Sequence, residues 1–273
     1  MATGRTRFYS ECQCAYVEFT YVLPNDLQPM MMEGNPYYKR PMKTLYLLHG
    51  FTGNDRDWEF NGMAEDLAVR YNLAIFMISA GNNFYLDRAA TGAKYGEFAG
   101  KEIVEYTRKT FHLSTKREDT LIGGLSMGGF GALHTAWAFP DTFGGVVALS
   151  SALIIYNIQG MKPGTSDLMA NYEYYHEVFG DLDKVAESEN NPEVLYKKCI
   201  TAGKEMAPLY MAIGLEDFLY EENQIMRRFL EKEHAHFKYE EGHGIHDWNF
   251  WNVYITKGLE YVLKEIESEK AQA

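Results

Sequence analysis

The sequence predicts an α/β fold, in which helices cover both faces of a mainly parallel central sheet. Two observations predict it. Short apolar runs typical of buried strands alternate with segments whose apolar residues recur at helical spacing, and the sequence contains no internal repeat. The 273 residues, 46% of them hydrophobic and 23% charged, have the length and composition of a large domain with a buried core. We therefore expect a single domain over residues 1–273 rather than two smaller ones.

The first half of the chain carries three predicted strands and two predicted helices. Residues 12–23 alternate and are rich in β-forming side chains, which predicts an early strand or one arm of a hairpin. Near-continuous apolar runs predict buried central strands, and apolar residues at helical spacing predict helices. The strands are expected at 44–48 and 73–79, and the helices at 63–71 and 98–111.

The second half continues the alternation around one long interruption. Strands are predicted at 121–125, 145–150, 208–213 and 237–240, and helices at 223–234 and 251–266. Between the second and third of these strands, residues 153–203 break up into polar helical pieces rich in Tyr, Asn and Glu. We predict that this segment is a small cap, or lid, inserted within the domain over the edge of the sheet.

The segment Gly124-Leu-Ser-Met-Gly128 matches the pattern G-x-S-x-G and lies between a predicted strand and a predicted helix. That context is typical of a sharp turn that projects a nucleophilic hydroxyl, here of Ser126, from the carboxyl edge of a sheet. The backbone N–H of Met127 then points to where an oxyanion would form. The alternative is a glycine-rich turn of any doubly wound fold, with the serine as a helix cap. A P-loop is excluded because no Gly-Lys-Ser/Thr follows, and a dinucleotide fingerprint fits poorly so far from the first strand.

A serine hydroxyl needs a base to remove its proton, and the base needs an acid that fixes its tautomer. In an α/β-hydrolase the order along the chain is serine, acid, histidine, each on a loop after a strand. Asp217 follows the strand at 208–213, although Glu216 beside it competes and Asp217 has the alternative of capping the next helix. His243 and His246 both follow the strand at 237–240, and position alone leaves the two open.

Charge and cysteine content exclude several other classes of protein. The formal net charge of −12 argues against a nucleic-acid partner and against an anionic membrane surface. Cys12, Cys14 and Cys199 do not make a disulfide framework, and the first two are expected to alternate along a strand with no further metal ligands near them. No signal peptide and no apolar span of membrane length is recognised, which predicts a cytoplasmic protein.

A set of short segments in a fixed order resembles the esterase D, tributyrin esterase and feruloyl esterase group of α/β-hydrolases, of the carbohydrate esterase family 1 type. The segments run from about residue 44 to residue 255 and cover most of the chain. They are Leu48-His-Gly50 with Gly53-Asn54 and Asp57-Trp58, Asn82-Asn-Phe-Tyr-Leu-Asp87, the serine segment Gly124–Ala132, Pro140 with Phe143, Leu149-Ser-Ser151, Gly214-Leu-Glu-Asp-Phe-Leu-Tyr220 with Asn223, and His246-Asp-Trp248 with Trp251.

The resemblance implies a role for each member of the site. It makes Ser126 the nucleophile, Asp217 the acid and His246 the base, since the histidine directly before the Asp-Trp pair is the base in that family. It also implies an oxyanion hole formed by two backbone N–H groups, those of Phe51 and Met127.

Three aromatic residues are candidates for the substrate pocket, with core packing as the alternative for each: Trp58, Tyr85 and Trp248. The resemblance further implies hydrolysis of short-chain acyl or hydroxycinnamoyl (feruloyl-type) esters through an acyl-enzyme, with no metal or cofactor. The partner is then a small-molecule ester, and a homo-oligomer is compatible with the resemblance because members of that family often form dimers or larger assemblies. The alternatives are thioester hydrolysis of S-formylglutathione, acyl transfer of the mycolyltransferase type, and a scaffold used only for binding.

Overall fold

One eight-stranded sheet organises the molecule, and the computed structural model describes it within residues 1–272, with side chains through Ser268. The strands are β1 (Ala2–Ser10), β2 (Ala15–Leu23), β3 (Lys43–Leu48), β4 (Leu73–Ile78), β5 (Thr120–Leu125), β6 (Gly145–Leu149), β7 (Leu209–Gly214) and β8 (Phe237–Gly242). Their order across the sheet is β1-β2-β4-β3-β5-β6-β7-β8. Strands β3 to β8 are parallel, whereas β1 pairs antiparallel with β2, and β2 with β4.

Helices cover both faces of this sheet, as the sequence predicted. They are α1 (Pro29–Met32), α2 (Asp57–Phe60), α3 (Ala64–Tyr71), α4 (Tyr95–Glu97), α5 (Ile103–Phe111), α6 (Met127–Ala138), α7 (Ile155–Ile158), α8 (Tyr172–Phe179), α9 (Pro192–Thr201), α10 (Tyr220–Lys232) and α11 (Trp248–Gln272). On one face α3 and α11 pack against the sheet, and on the other face α5, α6 and α10 do so, with α9 packed on α6 and α10. A π-helical turn, Phe98–Glu102, joins α4 to α5 within the helix predicted at 98–111.

Burial along the strands follows from this arrangement. Every residue of β3, β4, β5, β6 and β7 is buried, because helices cover both of their faces. The edge strands differ: β1 alternates between more and less exposed side chains, and β8 is half-exposed. Near-continuous apolar runs therefore identified the central strands, and the predicted α/β fold is confirmed.

The N-terminal hairpin differs from the prediction. The strand expected from residue 12 begins at Ala15, and Ser10 pairs directly with Ala15, so residues 11–14 form the turn between β1 and β2. Cys14 has a φ of 49°, in the left-handed region, so Cys12 and Cys14 lie in a turn and do not alternate along a strand. The turn was not recognised because the alternation of side chains in residues 12–23 begins within it. Strand β1 was not predicted because charged and hydroxyl side chains occupy this edge strand.

The segment at 153–203 lies between β6 and β7 and carries α7, α8 and α9. Phe179 of α8 packs against Phe84, with ring centroids 4.9 Å apart, and against Phe130 of α6 at 6.0 Å. These contacts attach the segment to the loop after β4 and to the helix after β5. Its role as a cap stays a prediction.

None of the helices in residues 1–272 is both long enough and apolar enough to cross a membrane.

Candidate active site

Ser126 lies at the junction of β5 and α6 in a strained backbone conformation. Its φ is 56° and its ψ is −120°. Residues other than glycine rarely adopt this backbone conformation, which costs about 1–3 kcal/mol. Backbone hydrogen bonds hold it there: its N–H donates to Leu149 O (2.9 Å), and its C=O accepts from Phe130 N (3.0 Å) and Ala152 N (2.9 Å). Gly128 is required because a Cβ there would overlap the carbonyl oxygens of Leu48 and His49. The serine therefore sits on a rigid turn, as the motif predicted.

A buried acid–base pair lies on the loops after β7 and β8. Nδ1 of His246 is 3.0 Å from Oδ1 and 2.9 Å from Oδ2 of Asp217, whose side chain has no exposed surface. Asp217 Oδ1 also accepts a hydrogen bond from Leu219 N at 2.9 Å. A buried carboxylate favours the tautomer in which Nδ1 carries the hydrogen, which leaves Nε2 free to accept a proton.

A second pair, between Glu216 and His243, stands beside the first but at the surface. His243 Nδ1 is 2.9 Å from Glu216 Oε1, and its side chain is 91% exposed, against 15% for His246. Glu216 Oε2 accepts from Gly244 N at 2.7 Å, and these two hydrogen bonds hold the pKa of Glu216 below its usual value, the Gly244 N–H contributing more. Leu215 N also donates to Gly242 O at 2.9 Å, which extends the pairing of β7 and β8 beyond the strand ends. The Glu216 carboxylate thus fastens the loop of Asp217 to the loop of His246.

Two aromatic rings contact the imidazole of His246. Trp251 lies at 4.9 Å and 89°, and Phe218 at 4.6 Å and 48°. Trp251 Nε1 donates to Ser150 Oγ at 3.0 Å. Ser150 directly follows Leu149, which accepts from the N–H of Ser126, so Trp251 ties the histidine to the strand end that holds the serine. Sequence analysis gave Ser150 no role, although the segment Leu149-Ser-Ser151 was part of the resemblance.

The loop after β3 runs against Ser126. A Cβ built on Gly50 would lie 3.4 Å from the Cβ of Ser126. Buried His49 braces the loop: Ala80 N donates to its Nε2 (3.1 Å), and its Nδ1 lies 2.7 Å from Gly50 O. Because Nε2 accepts, Nδ1 must carry the hydrogen, so the ring is neutral. Burial lowers the pKa of His49 and favours the same neutral form.

Two backbone N–H groups at this point have no acceptor. Within residues 1–272, neither Phe51 N–H nor Met127 N–H donates a hydrogen bond to another group of the chain. Phe51 belongs to the loop that touches Ser126, and Met127 is the first residue of α6. Unsatisfied N–H groups of this kind suit an oxygen that gains negative charge.

Two of the three candidate pocket residues support the backbone. Trp58 and Tyr85 are fully buried: Trp58 Nε1 donates to Leu48 O (3.0 Å), and the Tyr85 hydroxyl donates to His49 O (3.1 Å). The structure therefore places both behind the loop, which agrees with core packing. Trp248 is partly exposed and packs edge-on against Trp58 at 5.0 Å, and its place in a pocket stays a prediction.

Asn82 links the same loop to the segment at 153–203. Its Oδ1 accepts from Thr52 N at 2.7 Å, and its carbonyl oxygen accepts from the hydroxyl of Tyr174 at 2.8 Å. The ring of Tyr174 also contacts Phe51 at 5.8 Å. Thr52 has a φ of 66°, so this hydrogen bond holds a strained residue next to Phe51. Nothing in the local sequence pattern identifies this role.

The site can therefore bring together a hydroxyl, an oriented imidazole with its carboxylate, and two N–H donors.

A family model described as "Putative esterase" matches residues 29–262. The chain is 41% identical over 264 residues to an acetyl esterase of Caldicellulosiruptor saccharolyticus, an alignment that covers 97% of this chain and 99% of that protein.

Two solved structures from Staphylococcus aureus are similar over almost the whole chain. The fluorophosphonate-binding serine hydrolase F is 26% identical with a TM-score of 0.81, covering 96% of this chain and 98% of that one. An S-formylglutathione hydrolase is 27% identical with a TM-score of 0.79 and the same two coverages, 96% and 98%.

Proposed function

Because the chain belongs to the Putative esterase family and is a serine hydrolase, we propose that it removes short acyl groups, acetyl above all, from small esters. The acetyl preference is supported by the acetyl esterase that shares 41% of its residues over almost its entire length. The observation that carries the proposal is the buried pair of Asp217 and His246, at 2.9–3.0 Å, at the sheet edge where Ser126 sits.

In the first half of the proposed reaction, Ser126 Oγ attacks the ester carbonyl while Nε2 of His246 takes its proton. Asp217 keeps Nδ1 protonated and stabilises the imidazolium that results. The carbonyl oxygen becomes an oxyanion and accepts hydrogen bonds from the N–H groups of Phe51 and Met127. The carbon–oxygen bond then breaks, His246 gives its proton to the leaving alcohol, and the acyl group stays on the serine.

The second half of the reaction releases the acid. Water takes the place of the alcohol, loses a proton to His246 and attacks the acyl carbon, so that Ser126 Oγ leaves with that proton. Each oxyanion donor is expected to contribute about 100- to 1000-fold in rate. The hydrogen bonds that fix the loop of Phe51 are therefore also expected to affect the rate.

A second candidate is thioester hydrolysis, which the similarity to an S-formylglutathione hydrolase at 27% identity favours. The same serine chemistry serves a thioester, and only the leaving group differs. Hydroxycinnamoyl esters and transfer of the acyl group to another alcohol are the remaining alternatives.

One substrate panel tests these alternatives. The p-nitrophenyl esters of acetate, butyrate and octanoate, methyl ferulate and S-formylglutathione are ranked by kcat/KM. We expect acetate to rank first among the p-nitrophenyl esters and to exceed methyl ferulate. A higher kcat/KM for S-formylglutathione would transfer the proposal to thioesters, and a maximum at octanoate or ferulate would overturn the acetyl preference.

Asn82→Ala is expected to lower kcat about tenfold with little change in KM, since Thr52 loses its acceptor and the N–H of Phe51 moves from its place. Steady-state kinetics on p-nitrophenyl acetate give both constants. Asn25→Ala is the matched control, because Asn25 Oδ1 also accepts a backbone N–H, that of Ala2 at 3.1 Å, far along the chain from the site. If both variants keep the wild-type kcat, Asn82 does not position the loop.

We further propose a cytoplasmic location, since Cys12, Cys14 and Cys199 are all free thiols, as in proteins of reducing compartments. Association between copies of the chain stays a prediction from the resemblance, and sedimentation velocity would test it.

A further inference from the structure

We infer that Phe218 forms an apolar platform on the leaving-group side of His246, so that the enzyme favours esters whose alcohol part is aromatic or otherwise apolar. This inference rests on the proposed function and extends it from the acyl group to the alcohol.

Phe218 is unusual in its exposure. It directly follows Asp217, yet 68% of its surface is exposed, and its ring contacts the imidazole of His246 at 4.6 Å. The other ring on the imidazole, that of Trp251, is buried. The side of His246 toward solvent is therefore bordered by the phenyl ring of Phe218. Covering an exposed phenyl ring with an apolar ligand group lowers the free energy, because apolar surface is removed from water.

The direction of the reaction decides which part of the substrate reaches that ring. The leaving oxygen must come within about 3 Å of His246 Nε2 to receive its proton, so the first atoms of the alcohol lie beside His246. The carbonyl oxygen, in contrast, is held by the N–H groups of Phe51 and Met127, on the loop after β3 and the start of α6. The alcohol, not the acyl group, is thus the part that lies near Phe218.

Two other hydrophobic side chains on the same two loops are exposed: Ile245, directly before His246, and Leu215, on the loop of Asp217. The carboxylate of Glu216 on these loops is engaged in hydrogen bonds with His243 Nδ1 and Gly244 N. These loops therefore present exposed hydrophobic side chains beside a carboxylate that already has partners, which suits an uncharged apolar group.

Phe218→Ala is expected to lower kcat/KM for phenyl acetate about tenfold while methyl acetate changes by less than about twofold, because only the phenyl leaving group covers the ring. Phe218→Trp keeps an aromatic platform and is expected to retain activity on phenyl acetate. Phe60→Ala is the matched control: Phe60 is 67% exposed but packs under Arg56 rather than on His246. The Phe60→Ala variant is expected to have the wild-type kcat/KM for both phenyl acetate and methyl acetate.

Pre-steady-state kinetics separate a platform from a residue that only orients His246. If Phe218 is a platform, Phe218→Ala lowers the rate of the acylation burst with p-nitrophenyl acetate and leaves hydrolysis of the acetyl-enzyme unchanged, since the alcohol has already left. If acylation and deacylation fall together, or phenyl and methyl acetate lose equally, the ring acts on His246 and the inference is overturned. A loss confined to methyl ferulate would place Phe218 at the acyl group and would also overturn it.

Labelling with a fluorophosphonate distinguishes failure of the inference from failure of the proposed function. Wild type and Phe218→Ala are both expected to be labelled on Ser126. Normal labelling without any dependence on the alcohol rejects the platform alone, whereas a wild type that is neither labelled nor active on acetate esters rejects the function and the platform with it.

Discussion

Ser126→Ala is expected to lower kcat/KM for p-nitrophenyl acetate by about 10⁴- to 10⁶-fold, because the attacking hydroxyl is lost and only binding and the oxyanion donors remain. The substitution removes one oxygen from a turn that backbone hydrogen bonds already hold, so the fold is expected to persist. Progress curves at high enzyme concentration measure the residual rate, and circular dichroism with thermal unfolding checks the fold.

Ser151→Ala is the matched control for this variant. Ser151 is buried two residues after β6, and its Oγ has no hydrogen-bond partner among the described residues. It is expected to keep near wild-type kinetics. A Ser126→Ala protein that folds normally and keeps more than about a tenth of the wild-type rate would show that another group attacks the carbonyl.

Asp217→Asn is expected to lower kcat by about 10⁴-fold with the fold intact. Asparagine has the shape of aspartate, but its NH₂ group can donate to Nδ1 and so favours the tautomer with the hydrogen on Nε2. That tautomer cannot accept the proton of Ser126. His246→Ala is expected to be inactive for the related reason that the base is absent, and kcat on p-nitrophenyl acetate measures both effects.

The neighbouring pair supplies matched controls with the same chemical changes. Glu216→Gln and His243→Ala alter a carboxylate and an imidazole that are exposed and that, in the part of the chain that the structure describes, are paired with each other and with Gly244. We expect each to cost no more than about tenfold, through a looser loop around His246. If His243→Ala is the inactive variant and His246→Ala is active, the base has been assigned to the wrong histidine.

The fold was predictable from sequence where burial dominates. Strands β3 to β7 are buried on both faces, so each is a short apolar run that can be recognised without a partner. Strand β1 could not be recognised in this way, since an edge strand with Arg5, Arg7 and several hydroxyl side chains has the composition of a loop. The turn at Cys12 and Cys14 was not predicted, because an alternating pattern of side chains does not show where the chain reverses direction.

The sequence predicted which loops form the site. Ser126, Asp217 and His246 each follow a strand, and the carboxyl ends of parallel strands meet at one edge of the sheet, so the three loops were expected to lie together. The choice between His243 and His246 rested on resemblance, since both lie on one loop, and only coordinates show which faces the buried carboxylate. Asn82 and Ser150 act through hydrogen bonds to residues 30 and 101 positions away, which no local pattern reveals.

An acyl group is expected to rest on Ser126 during turnover, and an acid-quench experiment detects it. Wild-type enzyme is mixed with p-nitrophenyl acetate, quenched during the burst, digested and mapped by mass spectrometry. One acetyl group is expected on the peptide that contains Ser126, and none on that peptide from Ser126→Ala. An active wild type that carries acetyl on a different residue, or shows no acetylated peptide even when deacylation is rate-limiting, would contradict it.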